Sequence, residues 1–229
     1  MVISLQNINI SAWNIAGIRA KYGSSTLSKF DFGDFKSFLN DDIFCLLETH
    51  AGTDDILYLE GYTTHMMNRP KASKRGRNSG GLAIFIKNEI KDKVEWIQSK
   101  SSEYTWVRIK NAECGKGNDI YVCFIYANPP NSTFTSEEAV LTQVEKDFSI
   151  YNRKGNCIIM GDLNGYTNTK DDFIEHDEIN LMTPNIPLLQ DYRIDREMKK
   201  RQNKDKRPVN PRGREILDLC IGGGLRILN

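Results

Sequence analysis

The chain has 229 residues, with 31 Lys and Arg against 30 Asp and Glu, and a net charge of +1. Hydrophobic residues make up 39% and charged residues 27%, the balance of a globular chain long enough for one large domain over 1–229. No apolar stretch approaches bilayer-spanning length, which speaks against a membrane partner, and Met1–Leu5 lacks the basic segment and long apolar run of a secretory signal.

Taken in chain order, alternating or continuous apolar runs predict strands at Asn7–Asn14, Ile43–Thr49, Gly81–Lys87, Tyr104–Lys110, Ile120–Tyr126 and Cys157–Leu163. Gly61–Met67 and Lys93–Gln98 are weaker strand candidates. Helical spacing occurs at Phe32–Asn40, Ser136–Arg153 and Gly213–Gly222. Strands outnumber helices and do not alternate with them strictly. That argues against a doubly wound parallel sheet and for two mixed sheets with helices packed outside. The five cysteines are odd in number and widely spaced, with no C-x-x-C pair. Three of them sit inside apolar runs and read as small core residues, and the set suggests a reducing, intracellular setting.

Two segments are strongly basic. One is Arg69–Asn78, with Arg69, Lys71, Lys74, Arg75 and Arg77. The other is 193–214, which holds Pro208 and Pro211 and reads as a flexible loop within the domain. A charge run is ordinarily a solvated surface; its sharper reading is contact with a phosphate backbone.

The most informative pattern recurs at strand ends. Residues i and i+2 of a strand share a face. By that rule Ile8, Ile10 and Ala12 lead to Asn14, and Phe44 and Leu46 lead to Glu48. Likewise Val122 and Phe124 lead to Tyr126, and Ile158 and Met160 lead to Asp162, with Asn164 just beyond. Any one strand turns polar where it leaves a core; four with the same design suggest a shared pocket. Its oxygen donors suit a hard cation such as Mg2+, with Mn2+ as substitute, and no Cys/His spacing suggests zinc.

At these residues the sequence resembles the endonuclease/exonuclease/phosphatase family, the DNase I-like and apurinic endonuclease-like enzymes. The motifs are Trp13-Asn14-x-x-Gly17, Leu47-Glu48-Thr49-His50, Ser79-Gly80-Gly81, Tyr126-x-x-Pro129 and Gly161-Asp162-Leu163-Asn164. The segments Leu82–Lys87, Tyr126–Ser132 and Gly213–Asn229 are similar to endonuclease domains of non-LTR retrotransposons. The resemblance implies a four-layered α/β/β/α sandwich of two mixed sheets flanked by helices. It implies a metal-dependent phosphodiesterase, a DNA endonuclease that nicks duplex DNA by in-line water attack. Glu48 and Asn14 would hold the metal, Asp162 would orient or activate the water, Asn164 would donate to a phosphate oxygen, and Tyr126 would support the phosphate or leaving group. DNA is the implied partner, a reverse transcriptase the implied neighbour in a parent element, and the nucleus the implied location.

The family pattern ends in a Ser-Asp-His motif that this sequence does not contain. The expectation is therefore a C-terminally incomplete domain, lacking its last strands, with activity lowered about 10²–10⁴-fold by loss of that histidine. His50, His65 and His176 carry no role in this reading. A non-catalytic nucleic-acid-binding remnant is the alternative, and a phosphoinositide or sphingolipid phosphoesterase of the same fold a more remote one.

Overall fold

The apolar rows fold into two sheets stacked face to face. The computed structural model describes residues 2–5, 8–69, 78–110, 119–129, 132, 138–174 and 200–228, with side chains from residue 8 onward. These form two units, Met1–Asn164 and Gly165–Asn229.

The first unit carries strands β1 (Val2–Leu5), β2 (Ile8–Asn14), β3 (Arg19–Tyr22), β4 (Ser25–Ser28), β5 (Ile43–Leu47), β6 (Tyr62–Met67) and β7 (Leu82–Lys87). It continues with β8 (Val94–Ile97), β9 (Tyr104–Ile109), β10 (Asp119–Tyr126) and β11 (Gly155–Asp162). One sheet has the order β1-β2-β5-β7-β6 and the other β11-β10-β9-β8; β3 and β4 form a separate hairpin. Both large sheets are mixed. β2 runs parallel to β5 and β10 parallel to β11, while the remaining neighbours are antiparallel.

The inner faces share one core. Ile10, Ala12, Cys45, Leu47, Leu82 and Ile84 meet Val107, Val122, Phe124 and Met160 there. On the outer face of the first sheet, Phe44, Leu46, Ala83 and Phe85 pack with Phe30, Leu39 and Leu57, and with Phe35 of helix α1 (Gly33–Ser37). Helix α2 (Val140–Tyr151) supplies Tyr151, whose ring lies 5.0 Å from that of Trp106 and 4.8 Å from that of Tyr121 on the second sheet. The layering is thus the expected α/β/β/α sandwich.

Three elements depart from the sequence reading. β1 and the β3–β4 hairpin were not foreseen, because neither pairs a long apolar row with turn residues. α1 is shorter than Phe32–Asn40, since Phe32 has extended backbone (φ −97°, ψ 125°) and only caps the helix. In the second unit, Pro211–Gly223 forms helix α3, opened by Asn210, whose Oδ1 accepts from Gly213 N–H at 2.7 Å. Residues 211–214, read as the end of a basic loop, are therefore its first turn. Residues 193–199 of that loop lie outside the described residues. The stretch before α3 is irregular but tied down. Arg201 donates to the carbonyls of Thr167 and Lys170 at 3.1 and 2.9 Å, and the Arg207 guanidinium sits 3.7 Å over the Tyr166 ring.

The edge strands of the two sheets are joined by a ring stack. His65 on β6 lies 4.5 Å from Trp96 on β8 at 25° between planes, and Trp96 Nε1 donates to Thr105 Oγ1 at 2.9 Å. Burial lowers the His65 pKa, because the low-dielectric setting disfavours imidazolium. A histidine depressed in the folded state binds its proton more readily when unfolded. Its contribution is therefore fully present above about pH 6.5, the unfolded value, and is lost as pH falls through the folded one. Urea unfolding midpoints should fall between pH 7.5 and 5 more steeply for the wild type than for His65→Phe, which keeps the stack without the titration.

Candidate active site

β2, β5, β10 and β11 all end at the same rim of the sandwich. Three of the four polar end residues stay on the row that leads to them. Ala12, Phe124 and Met160 face the shared core, so Asn14, Tyr126 and Asp162 follow on that face. Glu48 does not. Its row, Phe44 and Leu46, belongs to the outer core, and Cys45 and Leu47 point inward instead. Strand periodicity would thus send Glu48 to the wrong side of the sheet. The chain corrects this with a left-handed residue: Glu48 has φ 55°, and His50 has φ 51°. The distorted segment stays paired on both sides. Gly17 N–H donates to Glu48 O at 2.6 Å, Ile18 N–H to Thr49 O at 2.8 Å, and His50 N–H to Gly80 O at 2.8 Å.

With that reversal, each polar residue of the first sheet meets one from the second. The Tyr126 hydroxyl donates to Glu48 Oε1. Asn14 Nδ2 donates to Asp162 Oδ2 at 2.9 Å. Burial, followed by the hydrogen bond to Glu48 and its charge, pushes the Tyr126 pKa well up, with Arg69 opposing. The phenol is therefore a neutral donor throughout the physiological range. Asp162 Oδ1 also accepts the backbone N–H of Asn164 at 3.1 Å. Asn164 has φ 49°, and its Nδ2 donates to Ala127 O at 2.9 Å. Asn14 Oδ1 accepts from Ala16 N–H at 3.0 Å, so the Asn14 carboxamide is fixed between Asp162 and the backbone, with one carbonyl lone pair to spare. Gly161 lets β11 lie close on β10: its φ is 143°, and a Cβ there would run into the carbonyl oxygen of Ile125.

Two half-buried carboxylates, two carboxamides and a phenol make a hard, all-oxygen donor set. Among the described residues no group of three or more His, Cys, Asp or Glu gathers into a closed metal cage. The set fits a cation that takes one or two protein carboxylates and leaves other positions to water or phosphate. Ala16, Arg19, Lys21, His50 and Asn78 line a cleft of about 300 Å³ that begins two residues beyond Asn14 and Glu48. A larger one, about 530 Å³, lies in the second unit between Asn168–Asp171 and Pro208–Val209, and none of the site residues lines it.

Of the five basic residues expected to contact DNA, Lys71, Lys74, Arg75 and Arg77 lie outside the described residues. Arg69 departs from the solvated loop read from the sequence: it is 5% exposed, and its Nη1 donates to Asn128 Oδ1 at 2.6 Å. A flanking run of Lys and Arg made it look like surface, whereas its position just after β6 sends it inward. Sequence reasoning also missed Glu103 and Asn128, both buried behind Tyr126. A lone acidic residue before a strand carries no pattern that would single it out.

A sandwich of two mixed sheets with oxygen donors at one rim is the layout of a DNase I-like α/β fold. Residues 11–174 match the Endonuclease/Exonuclease/phosphatase family, and the chain belongs to that family, whose members are generally phosphodiester hydrolases. Similar solved structures include the APE2 catalytic domain of Xenopus laevis, at 21% identity and a TM-score of 0.42, covering 77% of this chain and 64% of that one. The human Nocturnin catalytic domain with bound sulfate anion is similar at 18% identity and a TM-score of 0.39, covering 58% of this chain and 55% of that one. The chain thus spans less than two thirds of either structure. No curated protein sequence matches it.

The backbone reversal yields a stability prediction. A non-glycine residue in the left-handed region costs about 1–2 kcal/mol. Glu48→Gly relieves that strain, at the cost of one hydrogen bond and some chain entropy. These terms nearly cancel, so its unfolding free energy in urea should stay within about 1 kcal/mol of the wild type's, where loss of a buried polar contact without strain relief would cost more.

Proposed function

We propose that this chain is a metal-dependent phosphodiesterase that nicks duplex DNA. The observation that carries the reading is the meeting of Tyr126 with Glu48 and of Asn14 with Asp162 across the sheets. That arrangement supplies two oriented carboxylates within one rim, beside a cleft that carries Arg19, Lys21 and His50. Mg2+, with Mn2+ as substitute, is the cation that best suits these donors.

Glu48 and, through its carbonyl, Asn14 would hold the cation. When bound, the cation neutralises phosphate charge and favours departure of the leaving oxygen. The chain's own residues do the remaining work. Asp162, fixed by Asn14 and by the Asn164 N–H, orients a water for in-line attack on phosphorus and receives its proton. A new P–O bond forms from that water as the bond to the leaving oxygen breaks. Asn164 carries a second N–H besides the one given to Ala127, suited to a phosphate oxygen as charge builds. Tyr126 gives its one hydroxyl proton to Glu48 and so would support the phosphate or the leaving group through that carboxylate and the cation it holds.

Backbone phosphates would be gripped by basic side chains, so binding would weaken steeply with salt. The residues of Leu82–Lys87 and Tyr126–Ser132 support descent from a non-LTR retrotransposon endonuclease. In that case a reverse transcriptase accompanies the domain in its parent element, and it acts in the nucleus.

Conversion of supercoiled plasmid to open circles should require Mg2+ and stop with chelator. Glu48→Gln and Asp162→Asn should each lower the rate about 10²–10⁴-fold. Salt-sensitive DNA binding without nicking, indifferent to Glu48→Gln, would replace this reading with a non-catalytic binding module.

A further inference from the structure

Behind the Tyr126–Glu48 pair lies a buried polar column that the proposed chemistry does not use. Glu103 is 2% exposed, Arg69 5% and Asn128 7%. Glu103 Oε1 accepts from Asn128 Nδ2 at 2.8 Å and from Asn128 N–H at 3.3 Å. Asn128 Oδ1 in turn accepts from Arg69 Nη1 at 2.6 Å. A cation and an anion are thus buried together and bridged by one carboxamide. Charges are taken out of water at high cost, so an arrangement of this kind calls for a reason.

The column touches the site from both sheets. The Arg69 guanidinium carbon lies 5.6 Å from the centre of the Tyr126 ring, within cation–π range. Tyr126 N–H donates to the Glu103 carbonyl at 2.8 Å. On its other side the guanidinium fills the space where residue 80 would carry a Cβ, and only glycine, here with φ 62°, leaves that room. Gly80 and its neighbour Gly81 are the backbone partners of the segment that follows Glu48: Gly80 O accepts from His50 N–H and Gly81 O from Thr49 N–H. The guanidinium is therefore wedged between the ring that donates to Glu48 and the glycine turn that seats the backbone beside Glu48.

We propose that Arg69, held in place by Asn128 and Glu103, is a positioning residue that sets the Tyr126 hydroxyl against Glu48. The proposal rests on the phosphodiesterase reading for its consequence in catalysis, though not for the geometry itself. The role of Arg69 is to act through Tyr126, and not on substrate itself. It acts by fixing the ring from behind, with its guanidinium held against Tyr126 on one side, Asn128 on another and the Gly80 turn on a third. Lysine would supply the charge but not the planar fork that spans ring and carboxamide at once.

Arg69→Met, Arg69→Lys and Tyr126→Phe, made in the full 229-residue chain, test this with two readouts. The first is the Tyr126 Cζ resonance at constant pH in protein labelled with [4-13C]tyrosine, assigned by its loss in Tyr126→Phe. Both Arg69 variants should move it. The second is plasmid nicking with Mg2+. Each Arg69 variant should slow nicking about tenfold or more alone, yet by less than about twofold in a Tyr126→Phe background, because coupled positions are not additive. If Arg69→Met does not fold, Arg69→Lys, which keeps the buried charge, decides both readouts. An unmoved Tyr126 resonance, or losses that multiply in the double variant, overturns the proposal. A wild type that does not nick sinks the nuclease reading alone, since the resonance still reports whether Arg69 seats Tyr126.

Discussion

Two hydrogen bonds between strand-end side chains join the sheets at the rim of the sandwich, and both are made by residues proposed to carry the chemistry. Tyr126 of the second sheet holds Glu48 of the first, and Asn14 of the first holds Asp162 of the second. Each pair joins one carboxylate to one neutral donor, so neither sheet contains a complete site. Stacking of the sheets assembles it. That stacking follows from the inner rows, which bury Ile10, Leu47, Ile84, Val122 and Phe124 in a common core. Fully buried side chains of this size each contribute on the order of 1.5–3 kcal/mol, more than a single net hydrogen bond of about 1 kcal/mol, and there are many more of them. The apolar rows hold the sheets together, and the polar ends are aligned as a consequence.

Glu48 is where these two demands conflict. A residue one step past Leu47 cannot face the inner rim if the strand keeps its pleat, because the side-chain period is two. A left-handed torsion resolves the conflict locally, and it falls on the residue that most needs its direction set. Asn164, also left-handed, follows Asp162 in the same manner. Non-glycine residues in that region cluster where surrounding structure over-determines them. Here the over-determination is visible, since the backbone of residues 47–50 is paired on one side with residues 15–18 and on the other with Gly80–Gly81.

The rows leading to Asn14, Tyr126 and Asp162 were legible because period-two alternation needs no knowledge of partners. The same rule put Glu48 in the pocket for a reason that fails: its row packs outward, and only the torsion brings it back. Sequence reports periodicity well and single torsions poorly, as a lone φ near +55° leaves no pattern when the residue is not glycine. The β3–β4 hairpin shows the complementary gap. Its two-residue Gly23-Ser24 turn is a recognised hairpin signal, but Arg19–Tyr22 and Ser25–Ser28 carry no apolar alternation to flank it. Arg69 was misread because charge runs are judged by composition, whereas burial depends on where the end of β6 points.

The division of labour between buried and exposed charge bears on how the rim can take a ligand. Exposed pairs such as Arg108 with Glu95 and Lys146 with Glu138 contribute little to stability, about 0–1 kcal/mol each. They leave the fold indifferent to their loss. The charges around Tyr126 are of the other kind. Arg69 is buried, and Glu103 beside it is buried too, so their fields are weakly screened at the ring between the sheets. Tyr126 occupies one acceptor position of Glu48, while an ionised carboxylate offers about four. A cation can therefore approach Glu48 without displacing the phenol, and the orientation given by the cross-sheet bond would persist in the loaded site. The hydrogen bond that closes the sandwich is thus compatible with the chemistry proposed for its rim, so the same residues could serve both.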